Sequence, residues 1–385
     1  MSASVDLTDV PVVDNHCHAV DRRQGHRDVA AWRAHFSESP DARMRSTDVA
    51  DTVFYRRLLT EMAAHHGVPA REEAVLAARA ELGAEELTGR LFKDARIGAL
   101  VVDTGYPDPA TALDASRMAE AAGCTAVSLL RLELVLQDLV AAHERYDDLR
   151  DAVRDRLSDS RGQGFSGFKS VAGYRTGLDI RRWQRDEVDA AFAAARQQVR
   201  STGTVRLGHK PLLDSLLHVA FEVAAAEELP VQFHVGYGDP DADLREANPL
   251  LLRAVLEERD YRGMPVVLLH GCWPFVREGA YLAAVYGNAH LDVSFGIPFL
   301  SRQEMRAVTR AALGAAPVSK LMYSSDGARV PELHWMAAHD GRRLLGQVLG
   351  ELVDDGDLTS AQARTAGERI LRDNAEELYD IARHR

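Results

Sequence analysis

Two histidines separated by one residue, His16 and His18 in the run D-N-H-C-H, have a spacing that can do chemistry. Side chains alternate along a strand, so these two face one side while Cys17 faces the other. Two imidazoles ~7 Å apart on one strand can start a site for a first-row divalent metal. Alone, an H-x-H pair is weak evidence. Four other short apolar runs also close on residues of ligand type: Lys169, His234, His270 and Asp326. A charged or imidazole group inside V-Q-F-H-V-G or V-V-L-L-H-G costs desolvation unless it is paired or metal-bound. Each by itself reads as a satisfied core residue. Together, at the ends of successive runs, they read as one site.

The runs that carry them must be strands. Eight β-branched apolar segments, at 11–18, 98–106, 125–133, 166–174, 230–238, 265–273, 289–296 and 320–327, alternate with Ala/Leu/Glu/Arg-rich stretches of helical periodicity. This predicts parallel strands covered by helices, and eight units favour a (β/α)8 barrel over an open doubly wound sheet. The open sheet would want a Gly-rich turn after its first strand, and H-C-H-A-V-D-R-R-Q-G is not one. In a barrel, catalytic groups sit at the C-terminal strand ends, where the ligand-type residues fall. About eighty residues separate the first two strands, so the chain reads as a single barrel domain over 1–385 with a helical insertion at about 22–95, placed over the barrel mouth. Turn breaks are expected at Ser39-Pro40-Asp41 and Gly67-Val68-Pro69, and a last helix over 358–382.

Composition excludes several classes. With 385 residues, 46% of them hydrophobic, the chain can bury a large core. The net charge of −12 argues against nucleic acid or an anionic membrane as partner. Cys17, Cys124 and Cys272 lack C-x-x-C spacing and are too few for a disulfide framework. The first twenty residues lack a basic and apolar leader pattern, and no run reaches the length of a membrane span. The expectation is a soluble, cytoplasmic protein acting on a small molecule, with a homo-oligomer left open.

Taken in order, H-x-H on strand 1, Lys on strand 4, His on strands 5 and 6 and Asp on strand 8 resemble the amidohydrolase superfamily. The amidohydrolase-2 branch is the nearer likeness, and within it the domains fused to glutamine-synthetase-like proteins. The likeness is carried by F-S-E-S, D-T-G-Y, L-R-L-E, G-F-K-S-V-A-G-Y-R-T-G-L, F-H-V-G-Y-G-D-P-D-A-D-L, L-L-H-G-C-W-P-F-V-R-E-G-A-Y-L-A, K-L-M-Y-S-S-D-G and R-I-L-R-D-N-A-E-E-L-Y, over nearly the whole chain. Since the sequence stops where a synthetase-like domain would begin, a stand-alone version is expected.

The resemblance implies that His16, His18, His234 and Asp326 bind a divalent metal, zinc or alternatively manganese, as one or two ions. Asp326 would also accept a proton. His270 would be a ligand in a two-metal site, or would hydrogen-bond substrate or water in a one-metal site. Lys169 would be carbamylated and bridge two ions, or stay unmodified and hold a substrate carboxylate. Asp103, Arg131, Glu133, Tyr174 and Arg175 are expected substrate residues, with an Arg131–Glu133 ion pair as the alternative. Trp273 and Cys272 would line the pocket, or Trp273 would only pack a helix. His65, His66, His290, His334 and His339 lack strand-end positions and read as surface or helix residues. Three functions fit: hydrolysis of an amide or other C–N bond, metal-dependent decarboxylation or hydration, and a non-catalytic partner domain, against which the intact ligand set argues.

Overall fold

β1 (Val12–Cys17) is buried along its whole length, as a strand covered on both faces must be. The computed structural model describes residues 4–23 and 28–384. Seven strands follow: β2 (Ile97–Asp103), β3 (Thr125–Arg131), β4 (Phe165–Ser170), β5 (Val231–Phe233), β6 (Val266–Leu268), β7 (Ala289–Ser294) and β8 (Leu321–Ser324). All eight coincide with the runs expected from sequence, β2 and β4 starting one residue earlier than those runs. They form one sheet in the order β1 to β8, with parallel registers such as Arg131↔Lys169 and Lys169↔Gln232. Backbone bonds from Asp326 N to the His16 carbonyl, 3.0 Å, and from His18 N to the Gly327 carbonyl, 2.8 Å, join the end of β8 to that of β1. Sequential parallel strands with helices between them make this a (β/α)8 barrel.

The long first connection holds α1 (Val29–Arg33), α2 (Ala42–Ser46), α3 (Val53–His66), α4 (Glu72–Ala80) and α5 (Ala84–Asp94); residues 24–27 of the expected insertion lie outside the described ones. Its breaks are chemical. Asp41 caps α2 by accepting from Met44 N at 2.8 Å, and Thr52 caps α3 through Tyr55 N at 3.1 Å. Gly67, at φ 67°, ends α3 in the left-handed conformation that glycine adopts most easily. Trp32, Phe36 and Tyr55 supply the aromatic core here, with ring centroids 4.9 Å (Trp32–Phe36) and 5.5 Å (Phe36–Tyr55) apart.

The remaining helices are α6 (Ala115–Ala122), α7 (Leu132–Ala142), α8 (Tyr146–Leu157), α9 (Arg185–Thr202), α10 (Lys210–Ala226), α11 (Arg253–Glu257), α12 (Val276–Val285), α13 (Arg302–Leu313), α14 (Pro331–Asp354), α15 (Ser360–Glu368) and α16 (Asn374–Leu378). The final segment departs from expectation: a π turn over Arg369–Asp373 divides it. Beyond the turn, Asn374 Nδ2 donates to the carbonyls of Val318 at 2.7 Å and Leu321 at 2.8 Å, so it satisfies backbone at the start of β8. An uninterrupted 3.6-residue period takes no account of such long-range bonds.

The chain divides into two compact units. One comprises Met1–Val127 with Asp292–Arg385, the other Ser128–Leu291. The first holds β1, β2, β8 and the helical insertion. In the second, Phe221 of α10 packs on Phe233 and Tyr261, with centroids 5.7 and 5.6 Å away. No helix among the described residues is long and apolar enough to cross a membrane.

Candidate metal centre

In the first unit the alternation of β1 does what its spacing predicts. Cys17 turns away and donates to the Val101 carbonyl at 3.7 Å, and burial pushes its thiol well above the ordinary range. His16 and His18 stand together, ring centroids 4.9 Å apart and edge to face. Both Nε2 atoms lie 3.4 Å from Asp326 Oδ1. One ligand atom from each of the three residues falls within 4.8 Å of the others. Two donors on a tetrahedral ion at ~2.0–2.1 Å stand ~3.3 Å apart, so this N, N, O set fits a first-row divalent ion.

Backbone geometry aims Asp326. It sits at φ 51°, in the left-handed region where Asp and Asn are the most tolerated side chains after glycine. Its neighbour Ser325 is pinned: Ser325 N donates to Asp14 Oδ1 at 2.8 Å, and Gly327 N donates to Ser325 Oγ at 2.8 Å. Burial pushes the Asp14 carboxyl up to about 7. Gly296 is needed here, because a Cβ on it would stand 1.8 Å from the Ser325 carbonyl oxygen.

Behind His18 lies Asp103, fully buried. Its Oδ2 is 3.9 Å from His18 Nδ1, and Gly105 N donates to its Oδ1 at 3.0 Å. A carboxylate on the far ring nitrogen is the usual device for fixing tautomer and orientation in a metal-binding histidine. Asp103, expected to be a substrate residue, lies beside the imidazole. His334, on the first turns of α14, is fully buried with Nε2 3.3 Å from the His18 carbonyl, and burial pulls it down to about 4. Tyr106 packs edge-on to the His18 ring at 5.4 Å. Asp14, Tyr106, Ser325 and His334 were not picked out as site residues from the sequence. Asp14 opens the D-N-H-C-H run, Tyr106 closes D-T-G-Y and Ser325 lies in K-L-M-Y-S-S-D-G, so each stands in a motif already read; His334 had no such signal.

The second unit gathers the remaining expected residues. Lys169 is buried in β4. His234 follows β5, its N–H donating to the Ser170 carbonyl at 3.0 Å. His234 Nε2 lies 2.6 Å from the Tyr237 carbonyl and Nδ1 2.9 Å from His270 Nε2. Tyr174 covers His234, centroids 4.3 Å apart. His270, Gly271 and Cys272 take φ of 63°, 57° and 52°. Three consecutive left-handed residues are costly for non-glycine side chains and tend to be found where function demands them.

Glu133 is the second residue of α7, which starts at Leu132 directly after β3 ends at Arg131. Its Oε1 accepts from Ser170 Oγ at 2.7 Å and Val171 N at 2.9 Å, while burial raises its carboxyl above the usual range despite the nearby Arg131 charge. Arg175, half-buried, is depressed by burial and by Arg206, and its Nε has no partner among the described residues. Half-buried Trp273 accepts at its carbonyl from Tyr237 N, 2.8 Å; its ring stands 6.5 Å from that of Tyr237. Cys272 is buried.

The chain is 28% identical to a Lactobacillus casei protein described as a metal-dependent hydrolase, whose crystal structure superposes with a TM-score of 0.87 over 100% of this chain and 99% of that one. The uronate isomerase of Thermotoga maritima, 13% identical, shares the fold at a TM-score of 0.66 over 97% of this chain and 95% of its own. Protein fluG of Emericella nidulans is 35% identical over 237 residues, 60% of this chain. That match spans only 27% of fluG, about a quarter of its length. The model of the Amidohydrolase family matches residues 13–381. With the barrel and the histidine–aspartate cluster it explains, that match makes the chain a member of the amidohydrolase family.

Proposed function

We propose that the protein is a metal-dependent hydrolase of an amide or other C–N bond in a small, carboxylate-bearing substrate, with zinc as the ion and manganese as the alternative. The observation that carries this is the convergence of His16 Nε2, His18 Nε2 and Asp326 Oδ1. A divalent ion held by these atoms would acidify water and polarise the bond under attack. The Asp326 carboxylate would receive a proton, and Asp103, 3.9 Å from His18 Nδ1, sets a negative charge behind that ring. The resemblance further implies His234 and Lys169 as ligands, and His270 as a ligand in a two-metal site or as a hydrogen-bond partner of substrate or water in a one-metal site. Ligation by His234 requires one ring nitrogen to exchange Tyr237 or His270 for the ion. Lys169 ligates only as a carbamate, since an ammonium repels a cation.

Replacing His16 and His18 together by alanine is expected to leave under ~10% of the wild-type metal, because it removes two of the three donors. Plasma mass spectrometry of the purified chain reads this directly. Full occupancy in the double variant would overturn the reading. The same measurement on the wild type, with intact mass for Lys169, separates two ions on a carbamate from one ion on an unmodified site.

Arg131 and Arg175, with Tyr174, Glu133 and Trp273, are the proposed substrate contacts of the second unit. Arg131→Met and Arg175→Met should each lower kcat/KM for acidic amides by ~10- to 100-fold, as a charge-assisted contact of ~1.5–3 kcal/mol predicts. Melting temperature should change little. Destabilised variants with unaltered preference for acidic over neutral amides would instead make Arg131 the partner of Glu133.

A further inference from the structure

After β1 the chain runs on as a rim segment. Val20 pairs in parallel with Arg329, and Asp21 pairs antiparallel with Ala112. Arg329 N donates to the Ala19 carbonyl at 2.9 Å, and Asp21 N to the Arg329 carbonyl at 2.8 Å. These bonds fix the backbone of a residue at φ 65°. An arginine in the left-handed region carries a steric cost that glycine or asparagine would avoid, so the fold bears strain to place this side chain. The side chain is oriented as well. Arg329 Nε donates to Asp21 Oδ2 at 3.1 Å, and the guanidinium also bonds the Tyr106 hydroxyl. Tyr106 is the residue packed on the ring of His18. One tyrosine thus touches both the metal-site histidine and the guanidinium, three residues beyond Asp326. The Arg329 side chain remains 44% exposed, which leaves it accessible to a ligand. The chain carries a net charge of −12, so a cation pinned at this spot is a local choice.

We propose that Arg329, oriented by Asp21 and Tyr106, is a specificity-determining residue that binds a substrate carboxylate beside His18 and Asp326. It is a contact of the first unit, additional to Arg131 and Arg175, and it rests on the reading of the histidine–aspartate cluster as the reacting centre. A planar fork suits a carboxylate better than an ammonium does.

Isothermal titration of the full metal-loaded chain with N-acetylglycine and with its neutral counterpart N-acetylglycinamide tests the proposal. The wild type should prefer the carboxylate by ~100-fold or more, and Arg329→Gln should cut that preference by at least ~10-fold, the remainder resting on Arg131 and Arg175. Arg329→Lys should restore only part of it, and Tyr106→Phe should lose less than Arg329→Gln, since Asp21 still holds the guanidinium. Metal content and melting temperature are read on the same samples. Loss of preference at full metal content in a chain that still melts cooperatively supports the assignment, a small fall in melting temperature being expected from the lost Asp21 pair. A wild type with no preference, or an Arg329→Gln chain that keeps it, overturns the assignment. If the wild type takes up no metal yet binds N-acetylglycine in an Arg329-dependent way, the carboxylate site stands and the hydrolase reading falls.

Discussion

Asp326→Asn should turn over an amide substrate at least ~10²-fold more slowly than the wild type, the usual scale for a positioned proton acceptor. The variant is informative because the backbone should accept it. Asp326 lies at φ 51°, where asparagine is tolerated as well as aspartate. Its N–H bond to the His16 carbonyl, 3.0 Å, involves no side-chain atom. The loop should therefore keep its shape while the carboxylate becomes a neutral amide that cannot take up a proton. Alanine would be a poorer choice, since it adds left-handed strain to the lost charge. An amide is also a weaker ligand, so rates must be compared at saturating metal with occupancy measured in parallel. Near wild-type turnover at equal occupancy would move the proton to another group. A fall in turnover that tracks lost metal and vanishes when the ion is restored would leave Asp326 a ligand only.

What the sequence disclosed and what it hid follow from the range of the interactions involved. The eight strands were legible because each is a short apolar run buried on both faces, a local pattern. His16, His18 and Asp326 were legible because strand alternation and strand ends are local too. Arg329 was not, since its position depends on pairing with Val20, far away in the chain, and on a left-handed backbone that its sequence context does not announce. Tyr106 looked like the end of a strand; its contact with His18 is made by the fold alone. His334 read as an ordinary helix residue, yet it lies against the His18 carbonyl, because α14 starts directly after the metal-site loop. Glu133 was taken as a strand residue, but α7 begins at Leu132 with no connecting loop. Within the insertion the caps at Asp41 and Gly67 fall in the expected turn breaks, while the cap at Thr52 was not read from the sequence. The buried charge beneath those helices was not read either.

Arg79→Met is expected to destabilise the protein by ~3–5 kcal/mol, the cost of leaving a buried charge without its partner. Arg79 of α4 and Glu332 of α14 are both fully buried. Their side chains pair through Nε to Oε1 and through Nη2 to Oε2, the latter at 3.3 Å. The guanidinium also lies over the Trp32 ring at 4.4 Å from its centroid. The pair therefore ties two helices of the insertion, α1 and α4, to the first turn of α14, a few residues beyond Asp326. Removing the arginine strands the Glu332 carboxylate in a site that water does not reach and strips the face of Trp32. Removing both charges is a different operation. Arg79→Met with Glu332→Leu leaves no charge to desolvate, and a well-packed apolar pair can match or exceed a buried ion pair in stability. The double variant should accordingly recover most of the loss, giving a coupling energy of ~2 kcal/mol or more in a double-mutant cycle followed by urea denaturation. Additive single effects, or an Arg79→Met chain that unfolds at the wild-type midpoint, would mean that packing on Trp32 and not the ion pair holds the insertion. Metal content of the double variant completes the test. If the pair serves only to fasten the insertion, restoring stability with two apolar side chains restores full occupancy of the histidine–aspartate centre.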